Sequence, residues 1–356
     1  MFEAPFGGSV TFMWVAGPGR ARAMEQNLRL AAPGGMFNTP RRAPLVAFSW
    51  RLPVLRSTFA ALIALSLTAC GPGTAPPEEA ETLDEVEIAP DVEAAPYDAS
   101  ALSAAIEGPW RSQEARARDR WRNPAETLEF FDIDPGGAVI EIWPGGGWYA
   151  DILAPWIAAN DGRYIAAWPT IDPENENAVA FQARFSDKFE NPVFGSVELL
   201  EFGPESRRLG EVRDADAIVT FRNVHSMMRR SFAESAFAAF HEALRPGGHL
   251  GVVTHRQPAG EPQDPRASMG YVQQDYVIAL AEEVGFELVA SAEINANPAD
   301  TADHPFGVWT LPPILRTSAF GEAADPDFDS APYQAIGESD RMTLLFRKPA
   351  AVEGEQ

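Results

Sequence analysis

An apolar, β-branched run that ends in three consecutive glycines constrains this chain more than any other feature: Val139-Ile-Glu-Ile-Trp-Pro-Gly-Gly-Gly-Trp-Tyr149. Ala138 to Ile142 reads as a buried strand, and Trp148 to Ala158 then carries Ile152, Leu153, Trp156 and Ile157 along one helical face. Strand, glycine turn and helix form the opening unit of a doubly wound α/β domain. Glycine lets a backbone turn tightly and approach a ligand closely. The helix that follows points free N–H groups and its positive dipole end into the same crevice. Glu141 places a carboxylate beside the turn. The turn either holds a ligand or merely closes the sheet, and ligands of such sheets bind at the carboxyl ends of the strands.

The rest of the chain continues the alternation. Strands are predicted at Arg163 to Trp168, Val197 to Phe202, Ala217 to Phe221, His249 to Thr254 and Glu287 to Ala292. Helices fall between them at Glu174 to Lys188, from Ser231 onward, and at Tyr271 to Val284. Ser231-x-x-Glu234 has the pattern of a capping box, and Arg245-Pro-Gly-Gly248 ends that helix because proline and glycine cannot continue it. Arg341 to Phe346 supplies a last strand with Met342, Leu344 and Phe346 on one face. Ahead of the first strand, Ala101 to Ile106 and Gln113 to Phe131 read as helical, with a break at Asn123-Pro124. The expected fold is α/β: a doubly wound, Rossmann-like sheet with a long insertion before its last strand.

The N-terminal third is different. Residues 1–69 read as a signal region: a basic stretch holding Arg41, Arg42, Arg51 and Arg56, an apolar run from Ser57 to Ala69, then Leu67-Thr-Ala-Cys70. The apolar run is too short to span a membrane as a mature helix. The Leu-Thr-Ala-Cys ending resembles a bacterial lipobox, which implies that Cys70 is lipidated and becomes the mature N-terminus in the cell envelope, on the periplasmic side. A plain secretion signal with an incidental cysteine is the other reading, and a cytoplasmic location follows if the signal is misread. The stretch before Met36 is long for a signal and points to a mis-assigned start. Residues 70–100 form an acidic tether rich in proline and alanine, residues 101–349 the folded domain, and residues 350–356 a tail. Cys70 is the only cysteine, so no internal disulfide forms, and the net charge of −23 argues against a nucleic-acid partner.

Three motifs in order carry a resemblance. Glu141-x-Trp-x-Gly145-x-Gly147 is similar to the acidic-x-G-x-G-x-G turn of class I S-adenosylmethionine (SAM) methyltransferases, with Trp143 in place of the first glycine. Ala217-Ile-Val-Thr-Phe-Arg-Asn-Val-His225 and Ala239-Phe-His-Glu-Ala-Leu-Arg-Pro-Gly-Gly-His-Leu250 resemble that superfamily's fourth- and fifth-strand motifs. Together with Ile294-Asn-Ala-Asn-Pro298, His304-Pro to Trp309-Thr-Leu-Pro-Pro313 and Gly337-Glu-Ser-Asp-Arg-Met342, they look like a family of uncharacterised bacterial proteins described only as predicted methyltransferases. The resemblance implies a methyltransferase sheet, SAM as cofactor, and a small-molecule or envelope component as acceptor.

By the same resemblance Glu141, Gly145 and Gly147 hold the methionine part of SAM, Trp143 and Trp148 line its site, and Asn223, after the fourth strand, is a further cofactor-binding residue. An acid is expected at the end of the second strand to bridge the ribose hydroxyls. The sequence there is Ala166-Ala-Trp-Pro-Thr170, and Asp172 is the nearest carboxylate. Trp143 must either stack on the ligand or fill its space.

Methyl transfer needs chiefly an aligned acceptor, and a general base only when the acceptor carries a proton of high pKa. His225 and His255 follow the fourth and fifth strands, at the mouth of the crevice. His304 lies in the long insertion, Ile294 to Asp340. These three and Arg341 are the candidate catalytic or substrate-orienting residues, with loop anchoring as the other role open to each histidine. His241 and His249 read as structural or solvent-facing. The histidine spacings match no metal motif. A connection as long as Ile294 to Asp340 is expected to be an acceptor-binding lid, or else an arm packed on the sheet. There is no G-x-S-x-G elbow and no cysteine placed as a nucleophile, so hydrolase chemistry lacks support. The remaining alternative is an envelope lipoprotein that binds a ligand on this fold without catalysis.

Overall fold

The structure, a computed structural model, describes residues 99–350. Cys70, the signal region, the tether up to residue 98 and the tail beyond Ala350 lie outside the described residues. Among the described residues no helix is long and apolar enough to cross a membrane.

Four short helices precede the sheet: α1 (Ala99–Ile106), α2 (Gln113–Arg116), α3 (Asp119–Arg122) and α4 (Pro124–Phe130). The segment expected to be one broken helix from Gln113 falls into three pieces. Asn123 takes a left-handed φ of 36° that closes α3, and Pro124 opens α4, where its missing N–H costs nothing. The alternating part then runs β1 (Ala138–Ile142), α5 (Ala150–Ala158), β2 (Arg163–Trp168), α6 (Glu176–Phe189), β3 (Val197–Glu201) and β4 (Ala215–Phe221). It continues as α7 (Val224–Arg229), α8 (Ala233–Ala243), β5 (Leu244–His255), α9 (Gln274–Glu283), β6 (Glu287–Ala292), α10 (Ala331–Ile336) and β7 (Arg341–Arg347).

The seven strands are ordered β3-β2-β1-β4-β5-β7-β6. β7 runs antiparallel to both β5 and β6, and the other pairs are parallel. The order reverses between β1 and β4, which is the switch point where a doubly wound sheet opens a crevice. Alternation along β1 sends Ile140 and Ile142 to the face covered by α8 and α9, and Val139 to the face covered by α5 and α1. Glu141 shares the Val139 face.

Two local expectations are corrected. The capping box at Ser231 does not form: Ser231, at a φ of 52°, terminates α7, with Phe232 N–H donating back to Met227 O (2.9 Å). A residue that closes one helix in the left-handed region cannot also cap the next, and α8 begins after Phe232 with no side-chain cap. Arg245-Pro-Gly-Gly248 does more than end a helix. Leu244 already pairs with Ala215, and the register jumps before His249 pairs with Ala217. Arg245 is held against that irregularity by Asp216 at 2.5 Å.

Candidate functional site

A cavity of about 660 Å³ opens at the carboxyl ends of β1, β4 and β5, a size in the range of small-molecule sites. Its floor is the glycine turn with Phe221, Arg222 and Asn223. Trp110, Arg118 and Arg122 wall it from the helices before the sheet, and Val308, Trp309, Pro312, Pro313 and Ile314 from the long insertion.

The turn is shaped by left-handed backbone. Trp143, where the resembled motif has its first glycine, takes the glycine-like φ of 49°. Gly145 has φ of 60°, and a Cβ built on it or on Gly146 would meet nothing within 4 Å. The amides of Gly145 and Gly146 have no partner among the described residues. The backbone there is an open cradle facing the cavity. Gly147 serves packing instead: a Cβ on it would come within 3.2 Å of Phe185 and Phe189 on α6, and it does not line the cavity. Trp148 lines the wall, its ring flanked by the guanidinium carbons of Arg111 (4.9 Å) and Arg122 (4.6 Å). Asn223 donates to Ile142 O at 2.7 Å, which staples the end of β4 to the end of β1 across the switch point.

Glu141 is 2% exposed, with the Tyr164 hydroxyl donating to it at 2.5 Å. Burial pushes its carboxyl up to about 8 despite that hydrogen bond, so at neutral pH it carries little charge. Glu338, buried behind the arginines that line the cavity, receives three guanidiniums: Arg118 Nε at 2.5 Å, Arg122 Nε at 3.0 Å and Arg341 Nη2. Burial by itself would raise Glu338, but Arg341, Arg122, Arg118 and Arg222 together pull it down to about 2. Arg341 also donates to Trp121 O and Ser339 Oγ. It lines the cavity, but its guanidinium ties the insertion and the pre-sheet helices together.

His225 and His255 stand side by side, ring centroids 5.5 Å apart, with Trp309 5.7 Å from His225. Burial pushes His225 down to about 3 and His255 well below its ordinary value, so both are neutral bases at pH 7. His255 Nδ1 lies 2.5 Å from Ser339 Oγ, which also accepts from Arg341 Nε. That network favours donation of the Ser339 proton to Nδ1, leaving the ring proton on Nε2. His225 Nδ1 is buried and has no partner among the described residues.

Other candidates lie away from the cavity. His304 is buried with its Nε2 2.8 Å from Asp300, and Asp300 also accepts from the Tyr271 hydroxyl and the Asp340 amide. It anchors the insertion. Asp172 is an exposed turn residue whose carboxylate accepts from Glu174 N at 2.9 Å. The insertion is pinned at both ends, Asn295 to Thr127 and Thr343, and Asn297 to Glu338 O, so its middle forms a wall of the cavity. Among the described residues no group of His, Cys, Asp and Glu is placed to hold a metal ion. Arg118, Arg122, Arg222 and Ser339 were not singled out from sequence. Two of them carry a signal: Arg222 follows β4 inside Ala217 to His225, and Ser339 lies inside Gly337-Glu-Ser-Asp-Arg-Met342.

The fit to SAM differs between its two ends. Gly145, Gly146 and Glu141 offer the open backbone and carboxyl that its amino-acid end requires. No residue from the ends of β2 or β3 lines the cavity, so no carboxylate meets a ribose there. The Trp143 indole donates to Phe202 O at 2.8 Å and stacks on Phe232 at 6.2 Å, filling the space between the ends of β1 and β3.

No protein-family model matches the chain, and no curated protein matches it. Solved structures do. A SAM-dependent methyltransferase from Aquifex aeolicus is 15% identical over 56% of this chain and 94% of its own, with a TM-score of 0.40. A TehB-like SAM-dependent methyltransferase from Corynebacterium glutamicum is 16% identical over 65% and 96%, with a TM-score of 0.36. The [4+2]-cyclase SpnF is 16% identical over 71% and 93%, with a TM-score of 0.43.

Proposed function

We propose that this chain is a SAM-dependent methyltransferase acting on a small molecule or an envelope component, anchored to the envelope through a lipidated Cys70. The observation that carries the reading is the open cradle of Gly145 and Gly146 beside buried Glu141, at the switch point of the sheet. Gly145, Gly146 and Glu141 would hold the amino-acid end of SAM, which when bound supplies an activated methyl group. The chain's own contribution is alignment and proton handling. Trp309 and the Pro312 to Ile314 wall enclose an acceptor and exclude water. His225, neutral and free at Nδ1, takes the acceptor's proton once the bound ligand offsets the neighbouring cations that, with burial, hold its basicity down. His255, its proton directed by Ser339, orients the acceptor.

A second reading, an envelope lipoprotein that binds a ligand without transfer, is favoured by the Trp143 indole packed beside the cradle and by the lack of an acid at the ribose end. It also removes the need for a cytosolic cofactor outside the cytosol. Calorimetry of the full chain in detergent with SAM and S-adenosylhomocysteine separates the two. Binding of both supports the methyltransferase, and no heat from either leaves the binding protein. The anchor is tested by detergent-phase partitioning, which Cys70→Ser should abolish. Several buried acyl chains, at about 0.8 kcal/mol per CH₂, hold a protein to a membrane essentially permanently.

A further inference from the structure

The chain as a whole has 51 acidic and 28 basic residues, yet its cavity is cationic. Arg118, Arg122, Arg222 and Arg341 all line it. Against them stands Glu338, already shared by three of the four. Asp151 and Lys188 pair with each other. Arg222 has no hydrogen bond or ion pair from its side chain among the described residues. Three nitrogens of other lining residues are buried without partners among the described residues: Nη2 of Arg118, Nη2 of Arg122 and Nδ1 of His225, whose residue is 7% exposed.

An unpartnered guanidinium in a walled cavity is expensive unless something completes it. Burial, with repulsion from Arg341 and Arg118, adds to that cost and draws Arg222 down to about 10. The backbone holds Arg222 in place despite this: it sits at a φ of 64° with its N–H donating to Val253 O at 2.6 Å. Guanidinium forks match the two oxygens of a carboxylate or a phosphate.

From this geometry we propose that the acceptor carries an oxyanion, a carboxylate or a phosphate, which docks on Arg222 beside His225 and neutralises the cavity. The inference rests on the methyltransferase reading only in naming the ligand an acceptor. The oxyanion site itself stands without it.

The test titrates benzoate, benzamide and inorganic phosphate into the full chain in detergent, at fixed ionic strength, with S-adenosylhomocysteine in parallel. At least one oxyanion binds, and neutral benzamide binds at least tenfold more weakly than benzoate. Arg222→Gln weakens the oxyanion at least tenfold and leaves S-adenosylhomocysteine unchanged. It also raises the melting temperature of the ligand-free protein, because a half-buried, unpaired cation has gone from among three other arginines, whereas a structural arginine would lower it on removal. Arg222→Lys, which keeps the charge and loses the fork, retains part of the affinity. Phosphate binding without benzoate, or the reverse, identifies the oxyanion and supports the site. Oxyanion binding in a chain that takes no S-adenosylhomocysteine also supports it, while removing the methyltransferase reading. Three outcomes overturn it: no oxyanion binds, binding survives Arg222→Gln, or Arg222→Gln loses S-adenosylhomocysteine as well, which would give the guanidinium to the carboxylate of the cofactor.

Discussion

Tyr164, on β2, donates its hydroxyl proton to Glu141, on the neighbouring β1, at 2.5 Å inside the core. The pair links the side chains of two adjacent strands just before the glycine turn. It leaves Glu141 a buried carboxyl whose protonated form is the favoured one near neutrality.

Stability should therefore fall as pH rises through that range. The folded pKa of Glu141 is about 8, against 4.5 unperturbed. The proton is held more tightly in the folded state, so this contribution is complete below about 4.5, declines as pH rises, and is exhausted above about 8. The expected slope in that window is roughly 1.4 kcal/mol per pH unit. Urea denaturation from pH 5 to 9 should show it, and Glu141→Gln should flatten it. An equal slope in both proteins would assign the effect to another group.

Glu338 works in the opposite sense. Its carboxyl is held at about 2, below its unperturbed 4.5, so its contribution is present above about 4.5 and lost as pH falls toward 2. Removing it leaves Arg118, Arg122 and Arg341 without their shared anion. Glu338→Gln should destabilise by about 3–5 kcal/mol, as breaking a buried ion pair does. Thermal melting at pH 7 measures this, and a loss under 1 kcal/mol would mean that the arginines find other partners.

The glycine cradle separates backbone strain from occlusion. Gly145→Val forces a branched residue to a φ of 60° and should cost about 1–2 kcal/mol of stability as well as ligand binding. Gly146→Val faces the same open space without a left-handed backbone. It should abolish S-adenosylhomocysteine binding with little change in melting temperature. Calorimetry showing parental affinity in Gly146→Val would place the ligand elsewhere.

His304 and His225 should part company. His304→Ala removes the partner of Asp300 in a closed network and should lower stability by about 1–3 kcal/mol while folded protein keeps its turnover. His225→Ala should keep stability and lose about 10²–10⁴-fold in turnover on an acceptor that must shed a proton. Unchanged turnover in His225→Ala would leave His255 as the base.

What the sequence determined by itself was the periodic part. Apolar runs and glycine punctuation located all seven strands, because strand and helix periods are local properties of the chain. They also placed Glu141, Gly145, His225 and His255 at the carboxyl edge of the sheet, since residues that end parallel strands must gather there. Tertiary structure decided what depends on contacts across long separations. Arg118 and Arg122 lie more than 200 positions from Glu338, and no spacing rule joins them. Gly147 and His304 carry motif-like signals, yet one packs on Phe185 and Phe189 and the other on Asp300. Whether a glycine faces a ligand or a phenylalanine, and whether an arginine is paired or free, is set by which distant side chains fill the space around it.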